Sequence, residues 1–187
     1  MFQAEIEKSL EILNRGGVIL YPTDTVWGIG CDATIKTAVE RIYSIKQRNE
    51  TQTMLALVDG LEMLSAYIKN IPDVAMQLMK EATRPLTIIY PMAKNLAVNL
   101  IANDGSIGIR IVHEPFCRQL IKAFGKPLVS TSANISGEPT PGTFDEISET
   151  IKESVDYIVQ WRQDDRKPAR ASSIIQLKMD GSYQTLR

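Results

Sequence analysis

A dense group of small polar side chains follows a short apolar segment near residue 130. Residues 126–137 read KPLVSTSANISG, in which the hydroxyl and amide side chains are Ser130, Thr131, Ser132, Asn134 and Ser136. Such side chains cap turns, and together with backbone N–H groups they also bind phosphate and other polar ligands. Because five of them lie within seven residues, they exceed what a turn needs. The stretch favours a polar-ligand site, with turn capping as the alternative.

A second polar group stands at the end of the first strand-like segment, VILYP. The stretch YPTDTVWGIGCDA at 21–33 brings Thr23, Asp24 and Thr25 to that position, where ligands bind in open α/β folds. Its pattern G-x-G-x-x-A superficially matches a dinucleotide-binding fingerprint. The fingerprint needs its first glycine at the strand end, whereas here six residues intervene. We therefore interpret the glycines as a turn and the Thr23–Thr25 cluster as a polar-ligand group.

Basic side chains occur at two places where anions could bind. Lys46 and Arg48 stand at the end of a predicted helix, where cations complement the helix dipole but could equally clamp a phosphate. Arg110 lies inside the apolar segment SIGIRIV, and a buried arginine needs an anionic partner. That partner is either a protein carboxylate or a ligand carboxylate or phosphate. The sequence leaves these alternatives open.

Residue types for covalent or metal chemistry are sparse. His113 is the single histidine, and no G-x-S-x-G elbow accompanies it, so we expect a capping or core role. Cys31 and Cys117 are far apart and lack CxxC spacing, which argues against a zinc site or a disulfide framework. Arg170 and Ser172 precede an apolar segment and alone indicate little.

The composition limits the classes of protein to which the chain can belong. With 187 residues, 44% of them hydrophobic, the chain fits a single domain spanning 1–187. A net charge of −1 gives no bulk field that would attract nucleic acid or a membrane. There is no signal peptide and no run of about 18 apolar residues, so we expect a cytoplasmic protein without a membrane span.

The apolar periodicity predicts alternating helices and strands that would position these groups. Helices are expected from Phe2 to Leu13 and at 34–47, 61–69, 72–82, 115–124 and 143–153, the last with Thr143 and Glu146 as a capping box. Strands are expected at 18–22, 54–58, 86–91, 106–112, 127–131, 155–159, 172–177 and 183–186. The interleaving predicts an α/β fold with a mixed sheet.

Taken together, the motifs YPTDTVWGIG, KQR, SIGIR, STSANISG and SSIIQL resemble the YrdC-like family, the threonylcarbamoyl-adenylate synthases of tRNA modification. The motifs follow in order from about residue 8 to 187, and the S-x-S-A-N-x-S-G block is the most specific. The resemblance implies a twisted mixed β-sheet with flanking helices and a large open cavity. It also implies that L-threonine, bicarbonate and ATP react to threonylcarbamoyl-AMP and pyrophosphate, the first step towards N6-threonylcarbamoyladenosine at tRNA position 37.

The resemblance further assigns roles to residues of this chain. Threonine would contact Thr25, Arg110, Ser130 and Ser172. ATP would contact Arg48, Gln52, Ser106, Ser132, Asn134, Thr140 and Arg187. Lys46 and Arg48, with Mg²⁺, would neutralise charge during the adenylation, and no protein-bound metal is expected. Further partners compatible with the resemblance are tRNA or double-stranded RNA and the proteins that accept the adenylate.

Departures from the family pattern leave alternatives open. Gln52, Leu57 and Thr83-Arg84-Pro85 replace residues that are common in relatives. A paralogue that binds RNA or a nucleotide without this activity is therefore a second hypothesis. A carbamoyl-phosphate-using enzyme is a third, which the two isolated cysteines disfavour.

Overall fold

A computed structural model describes residues 2–49, 52, 54–166 and 170–187. Its helices are α1 (Gln3–Asn14), α2 (Lys36–Ile45), α3 (Leu61–Tyr67), α4 (Asp73–Glu81), α5 (Pro115–Phe124) and α6 (Glu149–Ser154). Its strands are β1 (Ile19–Tyr21), β2 (Gly28–Gly30), β3 (Leu55–Val58), β4 (Leu86–Tyr90), β5 (Ile107–Ile111), β6 (Leu128–Ser132), β7 (Tyr157–Ile158), β8 (Ser173–Leu177) and β9 (Tyr183–Thr185).

These strands form one mixed sheet in the order β7-β1-β2-β6-β3-β5-β4-β8-β9. The central strand β6 runs antiparallel to both of its neighbours, whereas β3 and β5 are parallel. In this register Leu55 pairs with Ser130 on one side and with Gly108 on the other. The polar end of β6 therefore lies two strands from β5, which carries Arg110. The predicted α/β fold with a mixed sheet is confirmed.

Helices cover both faces of the sheet, because consecutive strand residues point to opposite sides. On one side, α1 and α5 bury Ile6, Leu13, Phe116 and Leu120 with Leu57 of β3 in one apolar cluster. Ala56 and Val58, the neighbours of Leu57, belong to a second cluster with residues of α2, α3 and α4. Among the described residues no helix is long and apolar enough to cross a membrane.

The interpretation of Gly28–Gly30 as part of a turn is wrong, because these residues form strand β2 between β1 and β6. The segment offers one apolar side chain, which is too little alternation to signal a strand. Glycine is needed at position 30, since a Cβ there would lie 2.5 Å from the Val129 carbonyl oxygen and 2.6 Å from the Tyr21 ring. Close approach of backbone and ring explains the residue better than a turn does.

The capping box at Thr143 is also wrong. Helix α6 begins at Glu149, and Ser148 caps it by accepting a hydrogen bond from the backbone N–H of Ile151. The Glu146 carboxylate instead accepts from the Gly142 N–H at 2.7 Å. A Thr-x-x-Glu pattern also fits a polar loop, and the sequence spacing does not distinguish the two. The strand expected at 155–159 is shorter, Tyr157–Ile158.

Candidate functional site

A cavity of about 380 Å³ lies on the sheet face that carries Arg110. Alternate residues of the central strands line it, among them Thr87 of β4, Gly108 of β5 and Ser130 of β6, because every second side chain of a strand points to the same face. The residues of the predicted site that line this cavity are Thr25, Arg48, Ser106, Arg110, Ser130, Ser132, Thr140, Ser172 and Arg187. The structure thus brings segments from most of the chain to one place.

Arg110 is 3% exposed and has contacts from the turn that follows β1. Its Nη2 donates to the Thr25 hydroxyl at 3.2 Å and lies 3.1 Å from Asp24 Oδ1. Its Nε–H has no hydrogen-bond partner among the described residues. A protein carboxylate is therefore a partner of this arginine, which is one of the two alternatives that the sequence left open, and the buried Nε–H stays unpaired. An unsatisfied buried donor is costly, and a ligand carboxylate could satisfy it.

The turn 23–26 fixes the Thr25 hydroxyl. The Thr23 hydroxyl donates to the Val26 carbonyl at 2.7 Å and lies 3.0 Å from the Thr25 hydroxyl. Since the Thr23 hydrogen is used in this way, Thr25 donates to Thr23 and accepts from Arg110. The chain of hydrogen bonds orients both Thr25 and the guanidinium towards the cavity wall.

Lys46 is predicted to act at a phosphate, but its ammonium points into the polar loop that follows β6. The side chain is 1% exposed, and Nζ donates to the carbonyl oxygens of Ser132 and Asn134 at 2.6 and 2.7 Å. Burial, with repulsion from Arg48 second, lowers the pKa of Lys46 to about 8. Lys46 does not line the cavity, so its structural effect is to shape the loop. A direct catalytic role stays a prediction.

Arg48 lines the cavity, and its Nε donates to the Gln52 carbonyl at 2.7 Å. Burial lowers the pKa of the guanidinium from its ordinary value, and the group remains charged at neutral pH. Gln52 itself does not line the cavity, so its contribution here is through its backbone.

Asn134 likewise supports the site without lining it. Its amide nitrogen donates to the carbonyls of Ile135 and Glu138, both at 2.9 Å. The polar loop thus divides its side chains, because Ser130 and Ser132 face the cavity while Asn134 braces the turn. The stretch is so polar because some of its side chains line the cavity while another hydrogen-bonds the loop backbone.

The far wall of the cavity is formed by β4, β8 and the end of the chain. The Ser172 hydroxyl lies 2.8 Å from the Thr87 hydroxyl, and the Ser172 carbonyl accepts from Arg187 Nε at 3.0 Å. Thr87 is a cavity residue that the sequence reasoning missed. Its sequence signal is the one threonine in the apolar segment LTIIYP, and Ile89, two positions later, lines the cavity from the same face of the strand.

The histidine and the two cysteines differ in their surroundings. His113 is exposed, so the expected core role is wrong, and no capping contact to a described residue replaces it. Cys31 and Cys117 are both buried free cysteines, and burial raises the pKa of each thiol.

The side chains that line the cavity determine whether it could bind a metal ion. No cluster of three or more His, Cys, Asp or Glu residues suited to a metal ion occurs in the described ranges. The cavity lining offers arginines, hydroxyls and backbone groups, and its described residues include no Asp or Glu side chain. Hard cations prefer carboxylate ligands, so this lining suits an anion and any metal ion that the anion carries.

The comparisons with known proteins identify a family. Residues 11–187 match the Sua5/YciO/YrdC family model, which bears the description "Telomere recombination". The chain is 36% identical to the threonylcarbamoyl-AMP synthase of Pseudoalteromonas translucida over 160 residues, which are 84% of this chain and 86% of that protein. It is 35% identical to the threonylcarbamoyl-AMP synthase of Escherichia coli K12 over 145 residues, 76% of each chain.

Solved structures show the same fold. Escherichia coli YciO superposes with a TM-score of 0.85 at 30% identity, over 99% of this chain and 89% of that one. Pyrococcus abyssi Sua5 in complex with L-threonine superposes with a TM-score of 0.85 at 25% identity, over 97% of this chain. The match covers 53% of that Sua5 chain, so the present chain corresponds to about half of it.

Proposed function

The chain belongs to the Sua5/YciO/YrdC family, and from this premise we propose that it is an L-threonylcarbamoyladenylate synthase. The proposed reaction joins L-threonine, bicarbonate and ATP and gives threonylcarbamoyl-AMP and pyrophosphate. Curated relatives at 35–36% identity that bear the name threonylcarbamoyl-AMP synthase support the activity. The observation in this chain that carries it is that Arg110, whose Nε–H has no partner among the described residues, lines a cavity rich in hydroxyl groups.

The amino acid is placed at the Arg110 end of the cavity. Its carboxylate would accept charge-assisted hydrogen bonds from Arg110, whose orientation Thr25 and Asp24 hold. Ser130 and Ser172 present hydroxyls for the polar atoms of the substrate. A cavity of about 380 Å³ is within the range of small-ligand sites, which supports a small substrate.

The nucleotide is placed between the polar loop and the end of the chain. Arg48 and Arg187 supply positive charge, and Ser106, Ser132 and Thr140 supply hydrogen-bonding groups along the same cavity. Gln52 and Asn134 would act through the backbone of Arg48 and of the loop, respectively. Mg²⁺, if it takes part, would enter with the triphosphate and neutralise part of its charge.

The chemistry requires alignment more than covalent help. The amine of threonine would capture CO₂ derived from bicarbonate, and the carbamate oxygen would attack the α-phosphate as pyrophosphate leaves. Bringing the two reactants together and neutralising the developing charge can supply most of such a rate enhancement.

The proposed activity also implies a cellular location and a use for the product. A synthase of this kind would work in the cytoplasm, and its product would serve tRNA modification through tRNA and adenylate-accepting proteins. Because the adenylate is a reactive mixed anhydride, we expect rapid transfer to the next enzyme.

The alternative is a family member that binds a nucleotide or RNA without synthase activity. The departures from the family pattern, Gln52, Leu57 and Thr83-Arg84-Pro85, favour it. Leu57, which is fully buried beside Arg110 in the sheet register, is the departure closest to the amino-acid end of the cavity.

The deciding experiment is an assay of pyrophosphate release. Purified protein is incubated with ATP, Mg²⁺ and bicarbonate, with and without L-threonine, and the adenylate is followed by chromatography. The synthase predicts pyrophosphate release that needs both threonine and bicarbonate. Tight ATP binding without threonine-dependent release would favour the alternative.

A further inference from the structure

A second cavity of about 870 Å³ lies beside the substrate cavity. Asp59 after β3, Lys80 of α4 and Arg118 of α5 mark its walls. Asp24 also lines it, and Asp24 is the residue that contacts Arg110 of the first cavity at 3.1 Å. The two cavities are therefore neighbours that meet at this ion pair, and none of the roles assigned above uses the larger one.

Most of the lining of the larger cavity is apolar although the cavity opens to solvent. Met76 and Met79 of α4 and Leu61 of α3 contribute, and Leu61 and Met76 are 42% and 41% exposed. Exposed large apolar side chains that share one concave site are typical of binding surfaces. Methionine adapts its shape to a ligand and makes favourable contacts with aromatic rings.

Positive charge exceeds negative charge around this apolar lining. Lys80, Arg84 and Arg118 line the cavity, and none of them forms an ion pair or a side-chain hydrogen bond with another residue that the structure describes. Of the two carboxylates in the lining, Asp24 already contacts Arg110, which leaves Asp59 alone against these cations. The local field therefore attracts anions.

We propose that this cavity binds a small organic anion with a ring-bearing apolar body. The anionic group would contact Lys80, Arg84 and Arg118, the ring would pack on Met76 and Met79, and Asp59 could accept an N–H of the ligand. The volume is within the range of small-molecule sites, and its concave shape suits such a ligand better than a flat protein surface or a nucleic-acid duplex. The proposal does not rest on the synthase activity.

The test uses 8-anilinonaphthalene-1-sulfonate, a fluorescent aromatic anion, as the probe and AMP as its competitor. The intact protein and an Arg48→Glu variant are both titrated, because Arg48 lines the substrate cavity and not the larger one. We expect the Arg48→Glu variant to keep one probe site per chain and AMP to displace the probe from it.

Variants from opposite walls locate the site. Lys80→Glu and Arg118→Glu should each weaken probe binding at least about tenfold, because each reverses a charge at the proposed anion position. Lys122→Glu is the matched control, since Lys122 is exposed on the same helix as Arg118 but does not line the cavity. Met76→Asp should also weaken binding, whereas Met179→Asp, at a position that is 71% exposed elsewhere, should not.

Thermal unfolding of every variant checks that the fold is kept, and Arg118→Gln serves if a charge reversal destabilises the protein. Loss of probe binding in Arg48→Glu but not in Arg118→Glu would place the probe in the substrate cavity and overturn the proposal. Equal affinities of Arg118→Glu and Lys122→Glu would do the same. Binding of RNA or of an acidic peptide that depends on Arg118, with no binding of probe or AMP, would replace the small anion by a macromolecule.

Discussion

The ammonium group of Lys46, at the end of α2, donates a hydrogen bond to the backbone carbonyl of Ser132 at 2.6 Å. The same group donates to the Asn134 carbonyl, and the Lys46 carbonyl accepts from the Ser136 N–H at 2.9 Å. One residue thus holds the polar loop from β6 to Ser136, although 86 positions separate Lys46 from Ser132. The lysine shapes the site through the backbone.

Replacing Lys46 tests this bracing role. Lys46→Met keeps much of the apolar stem but leaves buried carbonyls without a donor, so we expect a loss of about 2 kcal/mol in the free energy of unfolding. The KM for ATP should rise with it, because Ser132 loses its fixed position. Urea unfolding and steady-state kinetics measure the two effects. Lys36→Met, at an exposed position of α2 paired with Glu40, should change neither.

The lowered pKa of Lys46 predicts a pH dependence of stability. Burial brings the pKa from 10.5 to about 8 in the folded protein. Between these values the unfolded chain binds a proton that the folded protein has released, so the free energy of unfolding should rise with pH. The expected result is that wild type gains stability relative to Lys46→Met between about pH 7.5 and about pH 9.5 in urea titrations. A constant difference between the two proteins over this range would contradict the assignment.

Arg110 should control the affinity for threonine. Arg110→Lys keeps a positive charge but loses the planar fork, so we expect the KM for threonine to rise about 10- to 100-fold, with a smaller change in the KM for ATP. Pyrophosphate release at varied threonine and ATP measures both constants. Arg15→Lys, at an exposed position directly after α1, is the control. An equal rise of both KM values would show that Arg110 serves the nucleotide or the fold instead.

The contact between Thr87 and Ser172 should appear as a coupling energy. Their hydroxyls lie 2.8 Å apart in a buried position, so Thr87→Val and Ser172→Ala should each cost about 1 kcal/mol of stability. The double variant should cost less than the sum, since each single variant already removes the shared hydrogen bond. Chemical unfolding of the four proteins provides the cycle, and strict additivity would mean that the hydroxyls act independently.

Gly30 should not tolerate a side chain. A Cβ at this position would lie 2.5 Å from the Val129 carbonyl oxygen, so Gly30→Ala must push β2 away from β6 and should cost more than about 2 kcal/mol. Gly60→Ala is the matched control, because its φ of 175° is ordinary extended backbone and its Cβ would meet no atom within 4 Å. Thermal unfolding of the two variants measures the difference, and similar midpoints would exclude the close packing.

The sequence by itself determined the class of fold and the polar character of the site. Alternation of apolar segments with period 2 and period 3.6 predicted the mixed α/β sheet, because those periods depend on local backbone geometry. The order of motifs such as STSANISG and SIGIR identified the family that the comparisons confirm. Where a local pattern had two meanings, as at Gly28–Gly30 and Thr143, the sequence chose wrongly.

The tertiary structure alone decided which polar groups face the cavity and which hold it in shape. The partners of Arg110, Lys46 and Thr87 lie 85 or more positions away along the chain. These contacts follow from the strand order β2-β6-β3-β5-β4-β8 and its registers. Strand order depends on long-range pairing, which the spacing of neighbouring residues does not encode. The same long-range packing opens the second cavity between α4 and α5.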